Sequence, residues 1–345
     1  MQEGFLPYQL FRKLYFRMRF WWVNQNQTYK HEVPGGYLWS PKLKSDGSAN
    51  PFYEFMREVS PGSVIFSFCD TLIRAIGIAK SHAYEAPKPI EFGSVGAYWD
   101  VIGWRVDVRF SELKASIRPS EHIERLRPLL PQKYAPLRTN GFGLQSVYLT
   151  HVSEPLGTLL VDLIGSEARG IIQGWHVGQS LFETPNVGQA EWEEHQLTLV
   201  RDDAHLRETE KHAIVMARRG QGLFRQRVAA VERACRITRV TQTEYLRASH
   251  CKPWRDSSNA ERLDGENGLM LTPDVDLLFD RGLLSFENNG DVLVSPVADR
   301  IAMERMGLTS DLLRNVGAFA EGQRSFLQFH RESVFLQARV KTPKP

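Results

Sequence analysis

Along roughly the first 115 residues the apolar positions recur with a period of two. Phe20-Trp21-Trp22-Val23, Gly36-Tyr37-Leu38-Trp39, Ser63-Val64-Ile65-Phe66-Ser67-Phe68, Ile73 to Ala79 and Trp104-Arg105-Val106-Asp107-Val108-Arg109-Phe110 are short runs bounded by Pro, Gly, Asp and Ser. Such runs predict strands of a half-buried sheet or barrel. Residues 51–59 open on Pro51, which suits a first helical turn, and predict a short helix; residues 122–130 predict another, closed by Pro131. Between about 165 and 195 the periodicity fades into Gly, Gln, Asn and Thr, the signature of a connection between domains. Residues 203–234 return to helical spacing, and 235–285 carry strand, loop, strand and helix signals. The pattern predicts an α+β protein with a β-rich domain over 1–165, a linker over 166–200 and a second domain over 201–345.

Length agrees, since 345 residues exceed one ordinary core and domains run to about 100–200 residues each. Apolar residues at 42% and charged residues at 24% describe a soluble globular chain, and no run approaches the roughly 20 apolar residues of a membrane helix. Arg12, Lys13, Arg17 and Arg19 interrupt the aromatic amino terminus, with no apolar run or cleavage site of a secretory signal, so a cytoplasmic protein without membrane attachment is expected. The 3 cysteines, Cys69, Cys235 and Cys251, form no Cys-x-x-Cys pair; neither a disulfide framework nor a structural zinc cluster is implied. Metal chemistry has to come from His and carboxylates.

The net charge of +3 is unevenly spread: residues 218–239 hold 7 arginines against the single acid Glu232. On charge alone this is either a footprint for a polyanion or a solvated helix face. Arg218, Arg219 and Arg225, with Lys252 and Arg255 further on, are the candidate contacts to a nucleic-acid backbone.

The chemistry concentrates in Tyr245-Leu246-Arg247-Ala248-Ser249-His250-Cys251-Lys252-Pro253-Trp254 and Asn267-Gly268-Leu269-Met270-Leu271-Thr272-Pro273-Asp274-Val275-Asp276-Leu277-Leu278-Phe279-Asp280-Arg281-Gly282. A short strand carries His250, a turn-rich loop returns through Asn267-Gly268, a second strand runs over 269–271, and a short helix begins at Asp276. Asp276 and Asp280 are four apart, so both carboxylates lie on one helix face and can hold one divalent cation. Phosphodiester hydrolysis needs an activated water, a charge-stabilising metal and correct placement. His250 can take the proton at neutral pH, and Asn267, a donor and an acceptor, can hold its loop and orient the imidazole.

This constellation resembles the HNH, or ββα-metal, endonucleases, within them the branch with an Ala-Ser-His-x-Lys-Pro-Trp strand and an Asn-Gly-Leu…Leu-Phe-Asp-Arg-Gly ending. The resemblance runs from about Thr209 through Arg331. It implies a one-metal nuclease with His250 and Asn267 as catalytic residues, Asp276 and Asp280 as metal ligands, and Mg²⁺ or Mn²⁺ as the ion. Many members carry a further metal-binding His or Asp just before the general base, where this chain has Ser249.

The amino-terminal half resembles the EVE group of PUA-like β-barrel domains, through Gly36-Tyr37-Leu38-Trp39-Ser40-Pro41, Pro61 to Phe68, Ile76-Gly77-Ile78-Ala79 and Trp99-Asp100…Gly103-Trp104-Arg105-Val106. In that family a modified base sits in an aromatic cage, which here would draw on Trp22, Asn24, Trp39, Ser40, Phe68 and Trp99. Aromatic walls and amide or hydroxyl groups suit a base flipped from a duplex. Together the resemblances imply a modification-dependent restriction endonuclease acting on double-stranded DNA with 5-methylcytosine or 5-hydroxymethylcytosine, and a homodimer, since one HNH site nicks one strand. A nuclease directed by sequence or by N6-methyladenine, and a binding module with a degenerate nuclease site, are the alternatives.

Overall fold

The computed structural model describes residues 18–144, 146–178, 197–203, 206–218 and 222–339. They fall into two compact units, one within 1–189 joined by the residues from 338 on, the other within 190–337.

The first unit is built on seven strands, β1 (Phe20–Asn24), β2 (Tyr37–Pro41), β3 (Val64–Cys69), β4 (Leu72–Ala79), β5 (Tyr84–Pro87), β6 (Ile102–Ile117) and β7 (Leu149–Val152). Their order is β2-β6-β4-β3-β1-β7, with β5 also on β6, and β1 pairs with β3 in parallel. The period-two runs account for five of these strands; β5 and β7 are too short to announce themselves. β6 curls the sheet into a half-barrel: residues near its start pair with β2 and β5, and its later residues pair with β4. Asp70 and Thr71 turn β3 into β4 with φ of 49° and 68°, the left-handed pair that a two-residue hairpin loop needs.

One face of this sheet, with Phe20, Trp22, Phe66, Phe68 and Ile76, packs with Leu156, Leu160, Ala168 and Ile172 of the helices Glu154–Ile164 and Ser166–Gly178. Gly157 permits the approach, because a Cβ there would lie 2.4 Å from the Phe20 ring. The second helix occupies the start of the expected 166–200 linker and belongs to the amino-terminal core; its apolar stripe is too sparse to stand out from its Gly and Gln neighbours. Likewise Ala338 and Arg339 rejoin this unit, their amides donating to Glu58 and Glu54.

The second unit begins with helical residues 197–202 and the helices Glu208–Arg218 and Gly222–Val231. Strands β8 (Arg247–His250) and β9 (Gly268–Leu271) pair antiparallel with His250 opposite Gly268, and the helix Pro273–Asp280 follows directly. The hairpin β10 (Leu284–Phe286) and β11 (Val292–Val294) and the helices Arg300–Arg305 and Glu321–Ser333 complete it. Phe224, Val228, Leu246, Leu269, Leu271, Val275, Phe279, Phe286 and Leu327 share one buried core. The helix after β9 starts at Pro273, so Asp276 is its fourth residue rather than its first; Pro in the first turn costs no hydrogen bond there. Gly282 has φ of 68°, and a Cβ on it would strike the Val334 carbonyl oxygen at 2.2 Å.

Candidate functional site

His250 ends β8 half-buried. Its ring lies flat on Phe224, with centroids 3.7 Å apart and planes within 1°. Nε2 is 3.1 Å from the Arg262 carbonyl oxygen. A carbonyl only accepts, so the hydrogen sits on Nε2 and Nδ1 is left with the lone pair. Burial, aided by the nearby Arg262 charge, pushes the imidazole down to about 4, which keeps it neutral at pH 7.

Arg262 is held in turn. Its guanidinium stacks 3.9 Å over the Trp254 ring, Nε donates to the Trp254 carbonyl at 2.9 Å and Nη1 to Asn259 Oδ1 at 2.9 Å. Trp254 itself is pinned by Nε1 donating to the Ile214 carbonyl. Nothing in the residue order marks Arg262 as the residue that orients His250, because it acts through its main chain.

Asn267 is fully buried and ties the loop between β8 and β9. Its Oδ1 accepts from Lys252 N at 2.8 Å, and Nδ2 reaches the Lys252 and Glu261 carbonyls and Ser257 Oγ at 3.2, 3.0 and 3.2 Å. The loop-holding half of its expected role has this geometry; the imidazole is oriented instead by Arg262 and Phe224. On the helix, Asp276 is half-buried and pairs with the exposed Arg247 at 3.4 Å, while Asp280 is exposed. Among the described residues no group of three or more His, Cys, Asp or Glu side chains is placed to hold a metal. Two carboxylates one turn apart suit a hard divalent ion that keeps several waters and takes substrate oxygens, and do not suit zinc closed in by four protein ligands. Ser249, buried on β8 beside His250, leaves that strand without a charged ligand.

Most expected backbone contacts have other duties. Arg225 donates to the Leu246 and Thr243 carbonyls, Lys252 Nζ pairs with Glu261 at 2.7 Å, and Arg255 pairs with Asp256 with little of its side chain exposed. Arg219 and the side chain of Arg218 lie outside the described residues. Clustered arginines therefore reflect, in part, guanidinium groups satisfying carbonyl ends within the fold.

The aromatic shortlist separates into two places. Trp22 and Phe68 pack on each other at 5.0 Å in the core between sheet and helices, which removes them from any open cage. Asn24 is occupied by Trp22 Nε1 and the Leu144 carbonyl. Trp39 and Trp99 come together elsewhere, their rings 6.1 Å apart and 33° from parallel, with Tyr37 and Phe92 beside them. Ser40 follows Trp39 on β2 and so projects to the opposite face; its Oγ is buried with no hydrogen-bond partner among the described residues. The strand under Trp39 is fixed by Glu32, which is fully buried and accepts from Trp39 N, Tyr148 Oη, Gln25 Nε2 and Thr28 Oγ1. Desolvation raises its carboxyl above the ordinary value despite these four donors. Phe92 and this Glu32 network were not singled out by the sequence pattern, and Tyr37, within the motif from Gly36 to Pro41, was not among the expected cage residues.

Residues 235–287 match the HNH_2 family, described as HNH endonuclease, so the second unit carries an HNH endonuclease domain. No curated protein matches. Among solved structures, the Pho92 YTH domain in complex with m6A is similar over 44% of this chain and 85% of its own, at 12% identity and a TM-score of 0.26. The YTH domain of the Zygosaccharomyces rouxii MRB1 protein in complex with N6-methyladenosine RNA is similar over 43% and 87%, at 12% identity and a TM-score of 0.27.

Proposed function

We propose that this protein is a modification-dependent restriction endonuclease whose first unit holds a flipped, modified cytosine and whose HNH domain hydrolyses the DNA backbone. The observation that carries the nuclease half is His250, with Nε2 committed to a carbonyl and Nδ1 unprotonated, on the strand of a ββα unit whose helix presents Asp276 and Asp280. Water attacks phosphorus, its proton passes to His250 Nδ1, and the bond from phosphorus to the leaving sugar oxygen breaks. Asp276 and Asp280 would hold one Mg²⁺ or Mn²⁺, which when bound stabilises charge on the phosphate and leaving oxygen. Asn267 keeps the loop in register, so that the carbonyl facing His250 stays where it is. At about 4 the imidazole is a weak base in the free protein; a phosphate anion beside it raises its proton affinity as substrate binds.

Support for the reader half is the Trp39–Trp99 pair. A base held between two rings needs about 7 Å, two contacts of about 3.5 Å, so at 6.1 Å the pair closes on itself and opens by a small shift of Trp99. A homodimer would supply the second site needed for a double-strand break.

The test is cleavage of otherwise identical duplexes carrying cytosine, 5-methylcytosine, 5-hydroxymethylcytosine or N6-methyladenine, with Mg²⁺ or Mn²⁺ and a chelator control. Metal-dependent cutting confined to the modified-cytosine duplexes is expected. Equal cutting of all four removes the reader, cutting of the adenine duplex alone reassigns its base, and no cutting with either metal removes the nuclease.

A further inference from the structure

We infer that Phe224, on a helix outside the matched segment 235–287, is a positioning residue of the nuclease site, the wall that fixes where His250 Nδ1 points. This rests on His250 being the general base. The covalent link at Cβ and the bond from Nε2 to the Arg262 carbonyl fix the imidazole at two points and leave it free to swing about the line joining them. The torsion at that ring is intrinsically broad. A flat ring 3.7 Å away and within 1° of parallel removes the remaining freedom, so Nδ1 is held in one direction.

The wall is itself immobilised from both sides. Arg225, the next residue, ties the helix Gly222–Val231 to the start of β8 through the Leu246 and Thr243 carbonyls. Arg227 ties it to the loop through the Leu263 carbonyl at 2.8 Å, one residue after the carbonyl that accepts from His250. The strand opposite His250 makes room for it, since a Cβ on Gly268 would lie 2.4 Å from Val228 and 2.9 Å from Phe224 Cζ. The Asn-Gly pair thus has two separate jobs, Asn267 holding the loop and Gly268 admitting the helix that carries Phe224. The charged group facing this imidazole is Arg262, and Phe224 presents only hydrocarbon to it.

The experiment uses the full chain with ¹⁵N-labelled histidine, the His250 signals assigned by their loss in His250→Gln. Phe224→Leu keeps an apolar side chain without a flat face; Phe286→Leu, in the same core but packed against Phe279 and Phe319 with tilted rings, controls for loss of stability. In Phe224→Leu the Nε2–H tautomer, set by the Arg262 carbonyl, is retained, while the His250 titration midpoint moves at least about one pH unit toward that of free imidazole. On DNA that the wild type cuts, kcat falls about tenfold or more with KM within about twofold, the split expected when only orientation is lost. Phe286→Leu leaves tautomer and midpoint unchanged. An unchanged midpoint in Phe224→Leu, or equal changes in both variants, would overturn the assignment. Failure of the wild type to cut any DNA would sink the nuclease reading, while the ring signals still decide whether Phe224 orients His250.

Discussion

Lys252 and Asn267 hold each other through a reciprocal pair: the Lys252 amide donates to Asn267 Oδ1 at 2.8 Å, and Asn267 Nδ2 returns to the Lys252 carbonyl at 3.2 Å. The side chain behaves as a piece of backbone paired to the residue after next beyond His250. Asn267→Asp keeps the shape but turns a buried donor into an acceptor facing two carbonyls. It is expected to destabilise the protein by about 2–4 kcal/mol, read as a lowered denaturation midpoint, and Asn267→Ala by somewhat less. An Asn267→Asp variant as stable as the wild type would contradict the hydrogen-bond assignment.

His250 carries a pH signature in the metal-free protein. Its folded value, about 4, lies below the ordinary 6.5, so between these values the unfolded chain binds more protons. The stabilisation is complete above pH 6.5 and is lost as pH falls through 4, amounting to up to about 3 kcal/mol. Denaturant titrations from pH 7 to 4 should show this loss in the wild type and a shallower one in His250→Gln. The same variant should bind modified DNA yet not cut it, which a mobility-shift assay run beside the cleavage assay checks.

Asp276 and Arg247 form a pair that a metal ion would have to displace. Asp276→Asn is expected to weaken Mn²⁺ binding about tenfold or more, and Arg247→Ala to tighten it about two- to fivefold by freeing the carboxylate. Calorimetry without DNA measures both, and unaltered binding in Asp276→Asn would place the ion elsewhere.

In the first unit, Trp99→Ala should weaken binding of modified duplex by about tenfold or more, since base–aromatic stacking is worth ~1–3 kcal/mol, while leaving the melting temperature within about 2 °C because Trp99 is only half-buried. Trp22→Ala should do the reverse, costing about 3–5 kcal/mol of stability as a fully buried core residue. Comparable binding by Trp99→Ala and wild type would exclude Trp99 from the cage.

Glu32 links four donors from separate segments, so Glu32→Ala leaves them unsatisfied in a dry interior and should cost about 3 kcal/mol or more. Because desolvation raises its carboxyl, the folded state binds the proton more tightly than the unfolded chain. Its stabilising contribution is present below the ordinary carboxyl range and is lost as pH rises through the raised value. A weaker fall of stability as pH rises above the ordinary carboxyl range in Glu32→Ala would be the measurable consequence.

What the residue order determined by itself were features set by local periodicity and spacing. Alternation in Phe20 to Val23 and Ser63 to Phe68 produces strands because a pleat exposes every second side chain to one side, and the separation of Asp276 from Asp280 produces one shared face because a helix repeats every 3.6 residues. The ββα order around His250, Asn267 and that helix is legible for the same reason. Tertiary structure alone decided which part of the sheet surface is sealed, and this parted Trp22 and Phe68, under the helices Glu154–Ile164 and Ser166–Gly178, from Trp39 and Trp99. It also decided what holds His250. Phe224 and the Arg262 carbonyl lie 26 and 12 positions away along the chain, and neither a hydrocarbon ring nor a main-chain oxygen leaves a mark in sequence, since each acquires its role only when packing brings it against the imidazole.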